Sequence, residues 1–178
     1  MEVAELRYEY WLAALPTLSD RKKRLLREEY RDAKAVYYIE EIQLRFLNFL
    51  EEKDVEAILQ SKREKNVEEE WDRLISQNIR FVPYFSEEYP RRLSQIADAP
   101  YALYAKGKLP LEGCPNVAIV GARKCTPYGE QMALEYGAYL AANGVQIISG
   151  MAKGVDGAGQ RGALNGKGRT YGVLGCGV

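Results

Sequence analysis

Residues 1–78 contain no glycine, whereas 14 of the 16 glycines fall within residues 117–178. Glycine weakens a helix interior, and it lets a backbone turn sharply or approach another backbone closely. The uneven distribution therefore predicts two kinds of structure in one chain. The first is helices packed on one another, and the second is an architecture rich in turns and close contacts. A length of 178 residues has room for one large domain or two small ones.

In the glycine-free part, Leu6, Tyr10 and Ala14 share a helical stripe with Trp11 beside it. Pro16 and Ser19 mark a break, and Ser19 suits an N-cap for a helix over Arg21–Tyr30. A long amphipathic helix is expected from Ala33 to Leu50, with further helices at Val55–Leu59 and Trp71–Ile75. The charged run Lys62–Glu70 reads as a solvated helix face or a linker. Short strands are expected at Ile79–Tyr84 and Ala102–Ala105, with a short helix over Arg91–Ile96 between them. The expected division is a helical domain over 1–78 and a second domain over 79–178.

From Val117 the pattern becomes α/β. Val117–Val120 is a continuous apolar run suited to a strand buried on both faces. Tyr128–Asn143 follows as a helix whose apolar side is Met132, Tyr136, Tyr139 and Leu140, and Gly144 provides its stop. Val145–Ile148 is a second strand, Val155–Asn165 a second helix and Thr170–Leu174 a third strand. Alternation of this kind implies a parallel sheet with right-handed crossovers.

Composition removes several classes of chemistry. The chain has no histidine, which eliminates triads that use a histidine base. Its three cysteines, Cys114, Cys125 and Cys176, form no CxxC pair and read as reduced thiols. No metal site and no cofactor are expected. No apolar run approaches the roughly 20 residues of a membrane span, and no signal peptide opens the chain, so a cytoplasmic, non-membrane protein is expected. Net charge is zero, but residues 1–78 carry −4 and residues 79–178 carry +4. The basic half suits a polyanion, and it equally suits an ordinary fluctuation between two small domains.

Ligands of parallel sheets bind at the carboxyl ends of the strands. Two such ends here are built from small residues: Gly121-Ala122-Arg123, followed by Thr126, Tyr128 and Gly129, and Ser149-Gly150-Met151-Ala152-Lys153-Gly154. Free N–H groups near a helix N-terminus attract an anion, Arg123 adds a planar fork for phosphate, and Ser149 and Thr126 offer hydroxyls. Plain turns would also account for the glycines, and Lys153 equally suits a place in solvent. Neither GxGxxG nor GxxxxGK[ST] is present, so the pattern points to a phosphate and not to one molecule. Asp156 is the carboxylate nearest these motifs, and its expected role is to cap or brace the second helix.

The string VAIVGARKCTPYG (Val117–Gly129) resembles the pattern VaiVGsRxxTxYG of the DNA-processing protein A (DprA/Smf) family. IISGMAKGVDGAGQRGAL (Ile147–Leu164) is similar to the family's ivSGlAxGIDxxAHxGAL. The lead-in YPRRLSQIADAPYALYAKGKL (Tyr89–Leu109) and RTYGVLGCGV (Arg169–Val178) match in order. The resemblance implies a Rossmann-like parallel sheet, preceded by a small helical domain, that binds single-stranded DNA. It also implies protection of that DNA and its delivery to the RecA recombinase in natural transformation, with no catalysis, and a homodimer. Arg123 matches the arginine of the family's DNA pocket. Gly121, Ser149 and Gly150 match its phosphate-contacting turns, while Lys153 falls at a variable position.

The chain departs from the family at Gly159-Gln160, where an Ala-His pair is usual. It also stops at Val178, before the rest of the family sheet with its dimer and recombinase contacts. A fragment, or a natural short form with a reduced role, is expected, with one sheet edge exposed or covered by another copy. Two other readings stay open. A Rossmann-like phosphoribohydrolase would need a PGGxGT-type loop, which is absent. A protein-interaction module would use Trp11, Tyr37, Tyr38, Phe46 and Phe49 on its surface instead of in its core.

Overall fold

The computed structural model describes residues 3–175, so Cys176 and the end of the last motif lie outside the described residues. The chain forms two compact units, Met1–Gly107 and Lys108–Val178.

The first unit carries α1 (Val3–Ala13), α2 (Asp20–Tyr30), α3 (Ala33–Tyr38), α4 (Glu41–Arg45), α5 (Glu52–Glu64), α6 (Val67–Ser76) and the short α7 (Arg91–Ser94). Ser19 caps α2 by accepting from the Lys22 N–H. The expected single helix over Ala33–Leu50 is instead two. The chain turns extended at Ile39 and Glu40, and the carbonyl freed at Ile39 accepts a hydrogen bond from Lys62 Nζ (3.1 Å). Burial without a countercharge pulls the Lys62 ammonium down to about 8. The charged run Lys62–Glu70 is the α5–α6 junction, where Asn66 caps α6.

Strands β1 (Arg80–Pro83) and β2 (Ala102–Ala105) pair antiparallel and belong to this first unit. Tyr101 is buried among Leu12, Leu26 and Ile58, and Phe81 packs with Trp71 and Leu74. The compact unit therefore runs past residue 78 to Gly107, because the hairpin completes the helical core. A polar tie lies inside it. The buried Glu9 carboxylate accepts from Arg27 Nε (2.9 Å), from the Ala33 N–H (3.3 Å) and from the Tyr101 hydroxyl. Of the aromatic residues weighed as a surface, Trp11 is buried, while Tyr38 and Phe46 are exposed.

In the second unit β3 (Asn116–Ala118), β4 (Gln146–Ser149) and β5 (Thr170–Gly172) form one parallel sheet in the order β3-β4-β5. Helices α8 (Pro127–Ala142) and α9 (Val155–Asn165) make the crossovers. Two right-handed crossovers in sequential strand order set both helices on one face. The sheet is accordingly covered on that face alone among the described residues. On the other face Ala118 is exposed and Val120 is 65% exposed, and Val117, which shares the helix face with Ile119 and Ile147, is itself 40% exposed on its edge strand, in place of the burial on both faces expected for Val117–Val120. Ile119 and Ile147 face the helices and pack with Ala141 and Ala163.

The apolar side expected for α8 holds only in part: Leu140 packs against the core and Met132 is half-buried. Tyr136 and Tyr139 are exposed, and the helix buries Ala133, Gly137 and Ala141 instead. Close approach of α8 to α9 is the reason. A Cβ on Gly137 would stand 2.2 Å from the Gly159 carbonyl oxygen, and one on Gly162 would stand 2.1 Å from that of Leu134. Small residues win the interface because backbone meets backbone, which leaves the tyrosines outside. Gly137→Ala is expected to cost about 1–3 kcal/mol through overpacking. Thermal unfolding checks this, and an unchanged midpoint would show that the two helices can separate without loss.

No helix among the described residues is long and apolar enough to cross a membrane.

Candidate functional site

Parallel pairing brings the turns after β3 and β4 to the same end of the sheet. They are fastened together by one side chain. Asp156, the second residue of α9, accepts from the Gly121 N–H at Oδ1 (3.0 Å) and from the Gly150 N–H at Oδ2 (3.2 Å). The Gly121 N–H above all holds the Asp156 carboxyl below its ordinary value. Burial opposes this, and Ser149 and the N–H groups of Gly150 and Ala152 add to it. Asp156 thus braces both turns as well as the start of its own helix.

Further contacts tighten the junction. The Ser149 hydroxyl donates to the Ile119 carbonyl (2.7 Å), tying β4 to the end of β3. The Val155 N–H donates to the Ala122 carbonyl (3.3 Å). Gly154 has φ +84°, and a Cβ there would stand 2.2 Å from the Ala122 oxygen, so glycine is required by both conformation and space. Thr126 caps α8 by accepting from the Gly129 N–H (3.1 Å), with Pro127 at the first helical position. Met151 holds φ +56°, a left-handed backbone uncommon outside glycine, and is 60% exposed.

The residues singled out in the sequence therefore divide in two. Gly121, Gly150, Ser149, Thr126, Gly129 and Gly154 are engaged in building the turns. The N–H groups of Gly121 and Gly150, expected to be free for an anion, are already taken by a carboxylate. Ala152 lends its carbonyl to the Gly157 N–H and Ala122 its carbonyl to the Val155 N–H. Arg123, Tyr128 and Lys153 are exposed, as is Lys124, a cation that motif reading passed over because the family pattern is silent there. Among the described residues no ion pair engages Arg123, Lys124 or Lys153. The arrangement can attract an anion at its outer rim by charge, beyond the glycine turns.

Gln160, which stands at the family's histidine position, donates from Nε2 to the Tyr171 carbonyl (3.2 Å) and so links α9 to β5. Gln146 does comparable work at the opposite end of the sheet. Its buried side-chain amide bonds both the N–H and the carbonyl of Leu111 (2.8 and 3.0 Å). Gln160 stood out in the sequence only as a departure from the family pattern and Gln146 not at all, since a glutamine that pairs with backbone looks like any polar residue. Cys114 and Cys125 are free thiols.

Comparison with known proteins gives a consistent picture. The model of the family described as DNA recombination-mediator protein A matches residues 80–178. Protein Smf of Borreliella burgdorferi is 40% identical over 89 residues, covering 50% of this chain and 28% of that protein. DNA processing protein DprA of Streptococcus pneumoniae is 39% identical over 110 residues, covering 60% of this chain and 39% of that protein. The chain thus spans well under half the length of these relatives. The X-ray structure of the Streptococcus pneumoniae DNA processing protein A superposes with a TM-score of 0.75 at 25% identity, over 96% of this chain and 58% of that one.

Proposed function

The chain belongs to the DNA recombination-mediator protein A family, and we propose that its second unit binds single-stranded DNA through Arg123, Lys124 and Lys153. One observation supports this reading most directly. Two turns at the carboxyl ends of neighbouring strands are locked together by Asp156, while the cations beside them have no ion-pair partner among the described residues. Phosphates of one strand would lie across the rim formed by 122–124 and 151–154. Arg123 supplies a bidentate fork there, and Lys124 and Lys153 act as point charges. Small residues at Gly121, Ala122, Gly150, Ala152 and Gly154 let the strand come close. Ser149, Thr126 and Gly129 hold the turns in shape, and Tyr128 offers a ring to a base. The site has few polar groups for base edges, so binding is insensitive to sequence.

The proposal extends to the uses that the family resemblance implies: protection of incoming DNA and its delivery to the RecA recombinase in natural transformation, in the cytoplasm, without catalysis, as a homodimer. Its organisation is a helical domain ahead of a DNA-binding domain, the boundary expected at 78/79 lying instead after the β1–β2 hairpin that packs with the helices.

Arg123→Ala is expected to weaken binding ten- to a hundredfold, the loss of a charge-assisted contact of about 1.5–3 kcal/mol. Arg123→Lys should recover part of that, since charge remains and the fork does not. Affinity should fall with salt, by a slope near −0.7 per phosphate contacted. A titration with labelled single-stranded DNA at two salt concentrations reads all three. Tighter binding to duplex than to single strand would sink the assignment.

A further inference from the structure

We infer that the outer face of α8 continues the DNA site as a stacking track, with Tyr128, Tyr136 and Tyr139 as its platforms; the inference rests on the single-strand reading above. At about 100° per residue, Tyr128, Met132, Glu135, Tyr136 and Tyr139 fall within roughly 100° of arc on one side of the helix. The opposite side holds Ala133, Gly137 and Ala141, buried against α9 and the sheet. Tyr128 is 73% exposed, Tyr136 62% and Tyr139 70%. Nothing in the packing of the unit calls for three large rings on this face, because α8 is held by its small residues. A contiguous exposed aromatic face of this kind marks an interaction surface.

The position of the face indicates what occupies it. The stripe starts at Tyr128, on the first turn of α8, immediately after the loop that carries Arg123 and Lys124. A strand whose phosphates are held by those cations has its next bases beside Tyr128. From Tyr128 to Tyr139 the helix advances about 16 Å, some five nucleotides at the roughly 3.4 Å spacing of a stacked strand. Tyrosine rings accept any base, which matches a site that leaves base edges unread.

Glu135 lies in the middle of the stripe, where its carboxylate accepts from Gln131 Nε2 (2.8 Å). Its charge argues against a second copy as occupant. Two antiparallel α8 helices paired along the stripe would bring Glu135 against itself, and like charges at such a place repel. For a DNA strand the same charge keeps phosphates away from the stripe and leaves the rings to bases, at some loss of affinity. Glu130, at the start of the helix, is neutralised by Arg161 (2.6 Å).

The test uses the whole chain with two probes of the same length, about 15 nucleotides: oligothymidylate, and a strand of abasic sites. Tyr136→Ala with Tyr139→Ala is expected to weaken oligothymidylate binding about tenfold for each ring lost and to leave the abasic strand unaffected. Glu135→Gln should tighten oligothymidylate binding. Arg123→Ala should weaken both probes. If the double tyrosine variant binds oligothymidylate as the wild type does while Arg123→Ala weakens it, the track is refuted, the DNA site stands, and the face falls to a protein partner. If the wild type binds neither probe, the single-strand reading and the track fail together.

Discussion

Replacing Asp156 with alanine is expected to loosen both turns of the site at once, lowering stability and abolishing most of the DNA affinity. The carboxylate accepts from the N–H groups of Gly121 and Gly150, which belong to different strand ends. Charge-assisted hydrogen bonds contribute about 1.5–3 kcal/mol each. These two lie at the rim of the unit, where water competes for the freed donors, so the two together are expected to contribute about 2–4 kcal/mol. Loss of binding follows because the turns would no longer hold the loop of Arg123 against that of Lys153. Asp156→Asn separates geometry from charge. Asparagine keeps one oxygen for one N–H but turns an NH2 toward the other, so it should recover less than half of the stability. Because the folded-state pKa is depressed, the contribution is fully present above the unfolded value near 3.8 and is lost as pH falls through the folded one. Acid unfolding of the wild type should therefore show a transition that the alanine variant lacks. If Asp156→Ala retains both its melting temperature and its DNA affinity, the turns are held by their own backbone and the bracing role is wrong.

Removing Glu9 is expected to produce the largest loss of stability in the chain, about 3–5 kcal/mol, because it leaves buried donors without their acceptor. Glu9→Ala strands Arg27 Nε and the Tyr101 hydroxyl in the core of the first unit and unpairs the Ala33 N–H at the start of α3. Tyr101→Phe removes one donor and should cost about 1–3 kcal/mol. In the double variant the two losses should not add, with a coupling of about 0.5–3 kcal/mol. Burial, then the charge of Glu9 and the hydrogen bond to it, push the Tyr101 phenol well above its ordinary value. A raised pKa contributes stability below the unfolded value near 10 and loses it as pH rises toward the folded one. Tyr101→Phe should thus be less sensitive to alkali than the wild type. Denaturant unfolding of the three variants measures the cycle, and strict additivity would mean that Glu9 and Tyr101 do not share an interaction.

Much of the local structure was legible in the residues themselves. Ser19 marked a helix start because a hydroxyl at that position satisfies a free N–H whatever the tertiary context. Gly144 marked the end of α8 because φ +81° is open to glycine at no steric cost. The alternation of apolar runs with helical stretches specified the parallel order of β3, β4 and β5, since each crossover must return on the same hand. The two strand ends stood out by composition, and their neighbourhood in space followed from that order.

Faces and partners were decided only by the tertiary structure. Val117–Val120 carries the signature of a strand covered on both sides, but an apolar run does not say how many layers will meet it, and Val120 is left exposed on the face away from the helices. The tyrosines of α8 satisfy a helical apolar period as well as Ala133, Gly137 and Ala141 do. Which set is buried depends on how closely α9 approaches, and glycine on both helices allows an approach that excludes rings. The division of labour within the site was equally hidden. Gly121 and Gly150 have the composition of an anion cradle, and that composition is the same whether the anion is a ligand or the chain's own Asp156. Hydrogen-bond partners 35 residues apart are chosen by the fold, so the sequence by itself determined which backbone groups would be exposed at the strand ends, and the tertiary structure decided that a carboxylate from the following helix would fill them and leave Arg123 exposed beside them.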